Sequence, residues 1–463
     1  MITEQNLQKF IAIVSSQNAI TSVADMAPYM REWRDLWPGT SPLVLRPSST
    51  AEVSQILALA NETCTAIVPQ SGNTGLVGGQ MPTGTEVLLS LDRMTKIIEV
   101  DAADHTITVE AGAILKSVQD AADAVDRLFP LSLASEGSCR IGGNLSSNAG
   151  GLNVLAYGNT RDLCLGLEVV LADGRVWNGL KKLRKDNTGY DLKNLFIGAE
   201  GTLGVITAAV LKLYPKPRRH DTAFIAVPTV EAAVDLLALV KSESGNRVVA
   251  FELMPDIAMG FTVKHMGVTN PISSPSPWYV LTELADAAPG NFEAILELAL
   301  ERGLITDASL AQSDAQRQTL WAIRELMPES QRHEGGSIKH DVSVPVSHIP
   351  AFIAEGAEAV QKFMPGARLM CFGHMGDGNM HFNVTQPVGM NKQDFLDQWH
   401  DMNWAVFDVV LKHGGSISAE HGVGQLKRQD MLRVKSSIEL DMMRGIKALL
   451  DPKGLMNPGK VLP

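Results

Sequence analysis

The chain has 463 residues, 45% of them apolar and 20% charged, an ordinary balance for a soluble globular protein with room for more than one packed core. Forty lysines and arginines against 51 aspartates and glutamates give a formal net charge of −11, which argues against a dedicated nucleic-acid or anionic-membrane surface. No run approaches 18 uncharged apolar residues, so no transmembrane helix is expected, and MITEQNLQKFIAIV lacks the basic, apolar, small order of a signal peptide. Four scattered cysteines (Cys64, Cys139, Cys164, Cys371) form no CxxC pair, which fits a reducing cytoplasm and neither a disulfide framework nor a zinc ribbon.

Residues 1–42 read as a helical N-terminal segment. LVLRPSSTAEVSQILALANE follows as a strand end, a turn and a helix, with Ser48 or Ser49 as its cap. Residues 43–217 are glycine-dense, with short β-branched runs such as HTITVEAG and GVITAAVLKLYP, the pattern of an α+β domain rich in tight turns. YPKPRRH at 214–220 marks a boundary. Strands and helices then alternate through DTAFIAVP, TVEAAVDLLALVKS, VVAFELM, PWYVLTELA and NFEAILELALERG, within a second domain spanning 218–425. A hairpin with DGN as its turn is expected over 371–384, a long helix over 392–413, and a C-terminal helix near 437–450 within a closing segment, 426–463.

Three clusters stand out in the glycine-rich half: PQSGNTGLVGG (69–79), ASEGSCRIGGNLSSNAGG (134–151) and GAEGTLGVIT (198–207). None ends in Gly-Lys-Ser/Thr and none is a GxGxxG between a strand and a helix, so the P-loop and Rossmann readings fail. Glycines let backbone N–H groups approach an anion closely, and Ser71, Asn73 and Thr74 add neutral donors. No lysine or arginine lies in 69–80, so backbone amides would carry a diphosphate there. Any one cluster could be a turn; three in one domain favour a large cofactor.

The hairpin CFGHMGDGNMHFNV places His374 and His381 at one end, where two imidazoles can share an ion. Catalytic zinc takes three protein ligands and keeps one position open, and Glu420 in SAEHGVG is the natural third. The spacing alone also fits two surface or core histidines. His421 adjoins Glu420, so its side chain diverges from the ligand set. It suits a general base or, alternatively, a structural hydrogen bond in a glycine turn. Asn383, two residues past His381, shares that strand face and could donate to a substrate carboxylate.

PQSGNTGLVGG, GGNLSSNAGG, YGNTRDLCLGLEVVLADG and FIGAEGTLGVIT resemble the FAD domain of the vanillyl-alcohol-oxidase type flavoproteins. With GHMGDGNMH, AEHGVG and DPKGLMNPGKVL, the chain from about Leu43 onward resembles the FAD-dependent D-2-hydroxy-acid dehydrogenases, most closely those acting on D-2-hydroxyglutarate. The resemblance implies an α+β fold: a two-part FAD-binding domain, a substrate domain with an antiparallel sheet covered by helices, and a C-terminal helical segment returning to the flavin. It implies that Pro69, Ser71, Gly72, Asn73, Thr74, Gly75 and Leu76 wrap the pyrophosphate. Glu136, Gly137, Gly142, Gly143, Asn144, Asn148 and Gly150 would run along the flavin, with Tyr157 and Gly158 beyond. Glu200, Gly204 and Ile206 would contact the adenosine side, and Asn457 would reach back to the flavin. The first loop has no histidine or cysteine, so FAD is expected to bind non-covalently, with Cys139 a buried thiol rather than a thioether.

The resemblance also assigns a divalent metal to His374, His381 and Glu420, with zinc favoured over manganese or cobalt. His421 becomes the base, and Arg324, Lys339 and Asn383 hold substrate carboxylates. It implies D-2-hydroxyglutarate, or also D-malate, as substrate, with D-lactate or glycolate as the alternative. Electrons would leave to an electron-transfer flavoprotein or a quinone-linked carrier. A homodimer is the expected assembly. One departure is visible: where such relatives carry a hydroxyl residue one turn after the arginine, this chain has Pro328, with Ser330 nearby, and a proline there also interrupts a helix. Other flavin chemistry, or an FAD-binding subunit without turnover, are the rival readings.

Overall fold

Ser49 opens the first long helix of the FAD half, Thr50–Thr63: its hydroxyl accepts from Glu52 N at 3.2 Å while Glu52 accepts from Ser48 N at 2.7 Å. That helix connects two strands of one small sheet. In it Val44–Leu45 and Ile67–Gln70 flank Val87–Ser90 in parallel, and Ala19–Ile20 pairs antiparallel with Val44–Leu45. A parallel pair cannot be joined by a tight turn, which is why a helix intervenes. The computed structural model describes residues 2–463 and divides them into two units. The first holds residues 2–151, 158–216 and 420–463; the second holds 152–157 and 217–419.

The first unit's other sheet is antiparallel, in the order Ile97–Asp101, Thr106–Glu110, Val205–Lys212, Cys164–Val170, Val176–Gly179. Val205–Lys212 is its apolar middle strand, buried at every position but the last. The C-terminal segment adds an edge to the small sheet through a parallel bridge between Ile67 and Met456, with Asn457 N donating to Ile67 O at 2.8 Å. The expected helical segment at the N-terminus is one helix, Glu4–Val14, followed by short turns and the strand Ala19–Ile20.

The second unit begins with a four-stranded antiparallel sheet, ordered Val248–Pro255, Trp278–Ala285, His220–Val227, Asp307–Leu310. Three more strands follow, ordered Ser337–Ser343, Asn379–Thr385, Arg368–Phe372. Leu253 and Gly373 exchange N–H···O bonds of 2.9 and 3.0 Å, which stitches the two sheets together. Gly373 sits at φ +151, and a Cβ there would lie 2.8 Å from Asn379 O, so the stitch requires glycine. On the three-stranded sheet, Ile338, His340, Val342, Met380, Phe382 and Val384 turn inward and are almost wholly buried. Helix Ile349–Phe363 covers them through Phe352, and helix Trp399–Lys412 through Phe407, which meets the His340 ring edge-on. Strand alternation leaves the opposite face for polar side chains.

Helix Asp314–Arg332 runs unbroken through Pro328, so the proline costs a ladder hydrogen bond without ending the helix. The long helix expected over 392–413 is two, Lys392–Leu396 and Trp399–Lys412. Among the described residues no helix is long and apolar enough to cross a membrane.

Glu283 anchors one surface of the four-stranded sheet. Burial by itself would raise its carboxyl, but hydrogen bonds from His220, Arg317 and Trp321 outweigh that and hold it well below the usual carboxylate range. A depressed carboxylate stabilises the fold above its unfolded-state value of about 4.3 and loses that contribution as pH falls below it. Glu283→Gln is therefore expected to lower the neutral-pH melting temperature and to flatten its fall between about pH 4 and pH 2. Differential scanning calorimetry across pH checks this; parallel curves for the two proteins would refute it.

Candidate active site

The three glycine-rich segments of the first unit converge on a cavity of about 870 Å³, near the upper end of the range for small-molecule sites. Its wall includes Pro69, Ser71, Gly72, Asn73, Thr74, Gly75 and Leu76 from the first loop, Gly142, Gly143, Asn144 and Gly150 from the second, and Glu200, Gly204 and Ile206 from the third. Close approach of the first two loops explains the glycine at 72: a Cβ there would lie 2.8 Å from Ser138 O and 2.9 Å from Cys139 Cα. Asn73, at φ +53, turns its amide under the N-terminal segment and donates to Arg31 O at 2.9 Å and Pro28 O at 3.2 Å. This brings Arg31, Glu32, Trp33 and Asp35 into the wall, residues that no sequence signal had marked.

A large, polar cofactor fits this site. Ser71 and Asn144 line it, and their buried Oγ and Oδ1 have no hydrogen-bond partner among the described residues. Each such buried group costs about 1–3 kcal/mol unless a ligand satisfies it. Within the third loop, Glu200 adopts φ +50, an uncommon conformation for glutamate. Burial raises its carboxyl, while N–H groups of Val423 and Gly424 donate to it at 2.7 and 2.8 Å and oppose that rise. Asn457 Nδ2 ties the assembly by donating to Glu200 O at 2.7 Å and Gly79 O at 2.9 Å. Asn144 also donates to Cys139 Sγ at 3.5 Å, and burial raises that thiol, as suits an inert one.

Six residues assigned by resemblance lie outside the cavity wall. Glu136 accepts from Gln119 Nε2 at 3.2 Å, and Gly137 borders open space. Asn148 ends helix Ile141–Ser147 at φ +50, and its Oδ1 accepts from Arg161 N at 2.9 Å. Tyr157 ends a short helix of the second unit, Gly158 packs on Asp162, and Asn457 lies behind Glu200. Gly72→Val is expected to strip the flavin, because the branched side chain has nowhere to go but into the loop contact. The ratio of 450 to 280 nm absorbance after purification measures this; a fully yellow variant would count against the cradle.

In the second unit the polar face of the three-stranded sheet carries the remaining candidates. His381 stands opposite Asp341, and Asn383 opposite Lys339, across one antiparallel pair. His374 lies in the loop after strand Arg368–Phe372 rather than on an arm of the hairpin, yet its ring is 5.4 Å from that of His381 at 77°. The stitch between Leu253 and Gly373 explains its placement, since it sets Glu252 beside His374. Glu252, 1% exposed, accepts from His374 Nδ1 at 2.6 Å and from Arg324 Nε at 2.7 Å. Burial would raise this carboxyl; His374 and Arg324 more than offset it and hold it well below its ordinary value. A carboxylate accepts only, so His374 donates to it from Nδ1.

Arg324 is nearly buried, with its guanidinium 4.7 Å from the centre of the Phe372 ring. Asn383 donates to Gln331 Oε1 at 3.0 Å, and Gln331 donates to Thr385 Oγ1 at 2.8 Å, so its amide belongs to a buried chain of side chains. Ala419, where the second unit ends, donates to Asp341 O at 3.3 Å. The chain thus leaves this unit beside the residue paired with His381, one position before Glu420. In the first unit Glu420 and His421 line the cavity, and Glu420 Oε1 accepts from Gly151 N at 2.8 Å.

Residues 216–461 match the family described as FAD linked oxidases, C-terminal domain, and residues 41–179 match an FAD binding domain. The chain is 39% identical to mitochondrial D-2-hydroxyglutarate dehydrogenase of Danio rerio, over 100% of this chain and 86% of that one. It is 37% identical to D-2-hydroxyglutarate dehydrogenase of Xanthomonas citri pv. viticola, over 97% and 96%. A putative mitochondrial D-lactate dehydrogenase of Schizosaccharomyces pombe is 35% identical over 99% and 90%. Among solved structures, p-cresol methylhydroxylase with substrate bound superposes with a TM-score of 0.76 at 16% identity, covering 99% of this chain and 97% of that one, which shows a shared fold. By the match of its C-terminal half and its full-length likeness to these dehydrogenases, the chain belongs to the FAD-linked oxidases and is an FAD-dependent oxidoreductase.

Proposed function

We propose that the protein oxidises D-2-hydroxyglutarate, and with it D-malate, to the 2-oxo acid. The observation that carries this is the Glu252 bridge, which locks a carboxylate-binding arginine and a metal-binding imidazole into one rigid pair. Full-length relatives named D-2-hydroxyglutarate dehydrogenase support the substrate and its D configuration. FAD, bound non-covalently in the glycine-lined cavity, supplies the hydride acceptor. A divalent ion, zinc by the softness of its donors, would be held by His374, His381 and Glu420 and would supply Lewis acidity. Asp341 stands across the ladder from His381.

The protein's own groups do the rest. Arg324 offers the guanidinium edge not spent on Glu252 to a substrate carboxylate, and exposed Lys339 offers its ammonium. The helix packing that buries Arg324 fixes its position before substrate arrives. Asn383, held by Gln331, presents its amide on the same strand face. His421 takes the proton from the substrate hydroxyl as the C2 hydrogen departs, and the 2-oxo acid leaves. Electrons then pass to an external carrier, an electron-transfer flavoprotein or a quinone-linked acceptor.

One observation favours the second reading, D-lactate. Ser330 Oγ donates to Met327 O at 2.9 Å and faces Thr262 in the core, so its hydroxyl is engaged away from any distal carboxylate. Anaerobic flavin bleaching by a panel of D- and L-2-hydroxy acids separates the two. Fastest bleaching by D-2-hydroxyglutarate is expected; a strong preference for D-lactate or glycolate would overturn the dicarboxylate assignment.

A further inference from the structure

The match to an FAD binding domain begins at residue 41, yet Arg31, Glu32, Trp33 and Asp35 line the cofactor cavity. Arg31, Trp33 and Asp35 are also exposed, Trp33 by 73%, which places them at the cavity's rim. Local chemistry makes this stretch one tight turn. Asp35 N donates to Glu32 O at 3.1 Å, the bond of a β-turn with Trp33 and Arg34 at its tip. The Glu32 carboxylate, 2% exposed, accepts from Arg34 N at 2.6 Å and from Leu36 N, so it fills the turn from inside. Asp35 sits at φ +54, and its carboxylate accepts from Arg31 Nη2 at 2.7 Å across the neck.

The two ends of this turn are held firmly. Before it, Tyr29 O accepts from Gln70 Nε2 at 3.0 Å, and the Tyr29 hydroxyl donates to Asp92 Oδ2 at 2.9 Å. Asn73 Nδ2, from the first glycine-rich loop, holds Pro28 O and Arg31 O. After it, Gly39 N donates to Met30 O at 2.9 Å, and Trp37 packs on Gly78, where a Cβ would lie 2.9 Å from the indole. The neck is different. Arg31 and Asp35 are 76% and 53% exposed, and an ion pair in water contributes little. A segment with firm ends and an exposed centre opens locally while the fold stays intact. Of the two tryptophans here, Trp37 is spent on Gly78, whereas Trp33 offers a broad apolar ring at the rim of a site for a cofactor with two flat ring systems. We infer that residues 31–36 are a strap that lifts to admit FAD and closes to retain it, with Trp33 stacked on one of the cofactor's ring systems. This concerns FAD alone and holds whichever hydroxy acid is the substrate.

The test uses the full chain, stripped of flavin and titrated with FAD. Trp33→Ala is expected to weaken FAD binding by about 5- to 150-fold, the range for losing one stack of a base on an aromatic side chain, while Trp33→Phe stays close to the wild type. Competition by ADP and by FMN identifies the ring. Trp33→Ala should weaken ADP alone if the indole covers adenine, and FMN alone if it covers the isoalloxazine. Closure of the strap is read separately by trypsin, which should cut after Arg31 or Arg34 in the flavin-free chain. At equal flavin occupancy, FAD should slow that cut strongly in the wild type and little in Trp33→Ala. Equal FAD affinity in the wild type and Trp33→Ala, or a cleavage rate that FAD leaves unchanged, would overturn the inference. So would ADP and FMN binding that are both unaffected or both weakened alike, since the first leaves no ring in contact and the second assigns the loss to folding.

Discussion

Glu252→Leu is expected to destabilise the protein by about 3–5 kcal/mol and to reduce turnover below detection, because it leaves the buried Arg324 charge without its partner. The penalty arises from a stranded cation rather than from the lost bond itself. Adding Arg324→Met should therefore restore most of the stability, since two well-packed apolar side chains replace a buried pair at little cost. It should restore no activity, because the carboxylate anchor is gone. Urea unfolding of the single and double variants checks the stability arm, and steady-state turnover checks the other. If the double variant is no more stable than Glu252→Leu, the pair is not the coupled unit described here.

Glu252 also shows where sequence reading stops. VVAFELMP reads as a fully buried strand, and a lone glutamate in it carries no periodic or motif signal. Its role appears only when Leu253 bridges Gly373, a pairing of residues 120 positions apart that no local pattern announces. The wall formed by residues 31–35 was hidden for the same reason, since Asn73 recruits it through backbone carbonyls. The hairpin was legible, because a Gly-Asp-Gly-Asn turn between apolar arms has few other uses; that His374 sits in its loop was not. The Ser49 cap and the helix near 437–450 followed from local chemistry, and the structure has both. The single helix expected over 392–413 failed at Asp397 and Gln398, where the backbone breaks despite continuous helical periodicity. The three glycine clusters were readable as a cofactor site together, while the assignment of each residue within them depended on resemblance alone.

His421→Ala is the second large effect. Loss of a general base is expected to lower kcat by about 10²–10⁴-fold. KM should change little and flavin content not at all, because His421 is proposed to move a proton rather than hold substrate. The pH profile is the sharper readout. Wild-type kcat should rise with pH as the base loses its proton and then level off. The variant should lose that limb. A variant that keeps the limb at reduced height would assign the proton transfer to another group.

Everything proposed for the reaction depends on the imidazole pair His374 and His381 being needed for reduction of the flavin. The most direct measurement is anaerobic stopped-flow bleaching of the flavin by D-2-hydroxyglutarate, comparing the wild type with His374→Ala plus His381→Ala at matched flavin occupancy. The account predicts rapid bleaching in the first and, at saturating substrate, a rate at least a hundredfold slower in the second. Equal rates in the two proteins would contradict it.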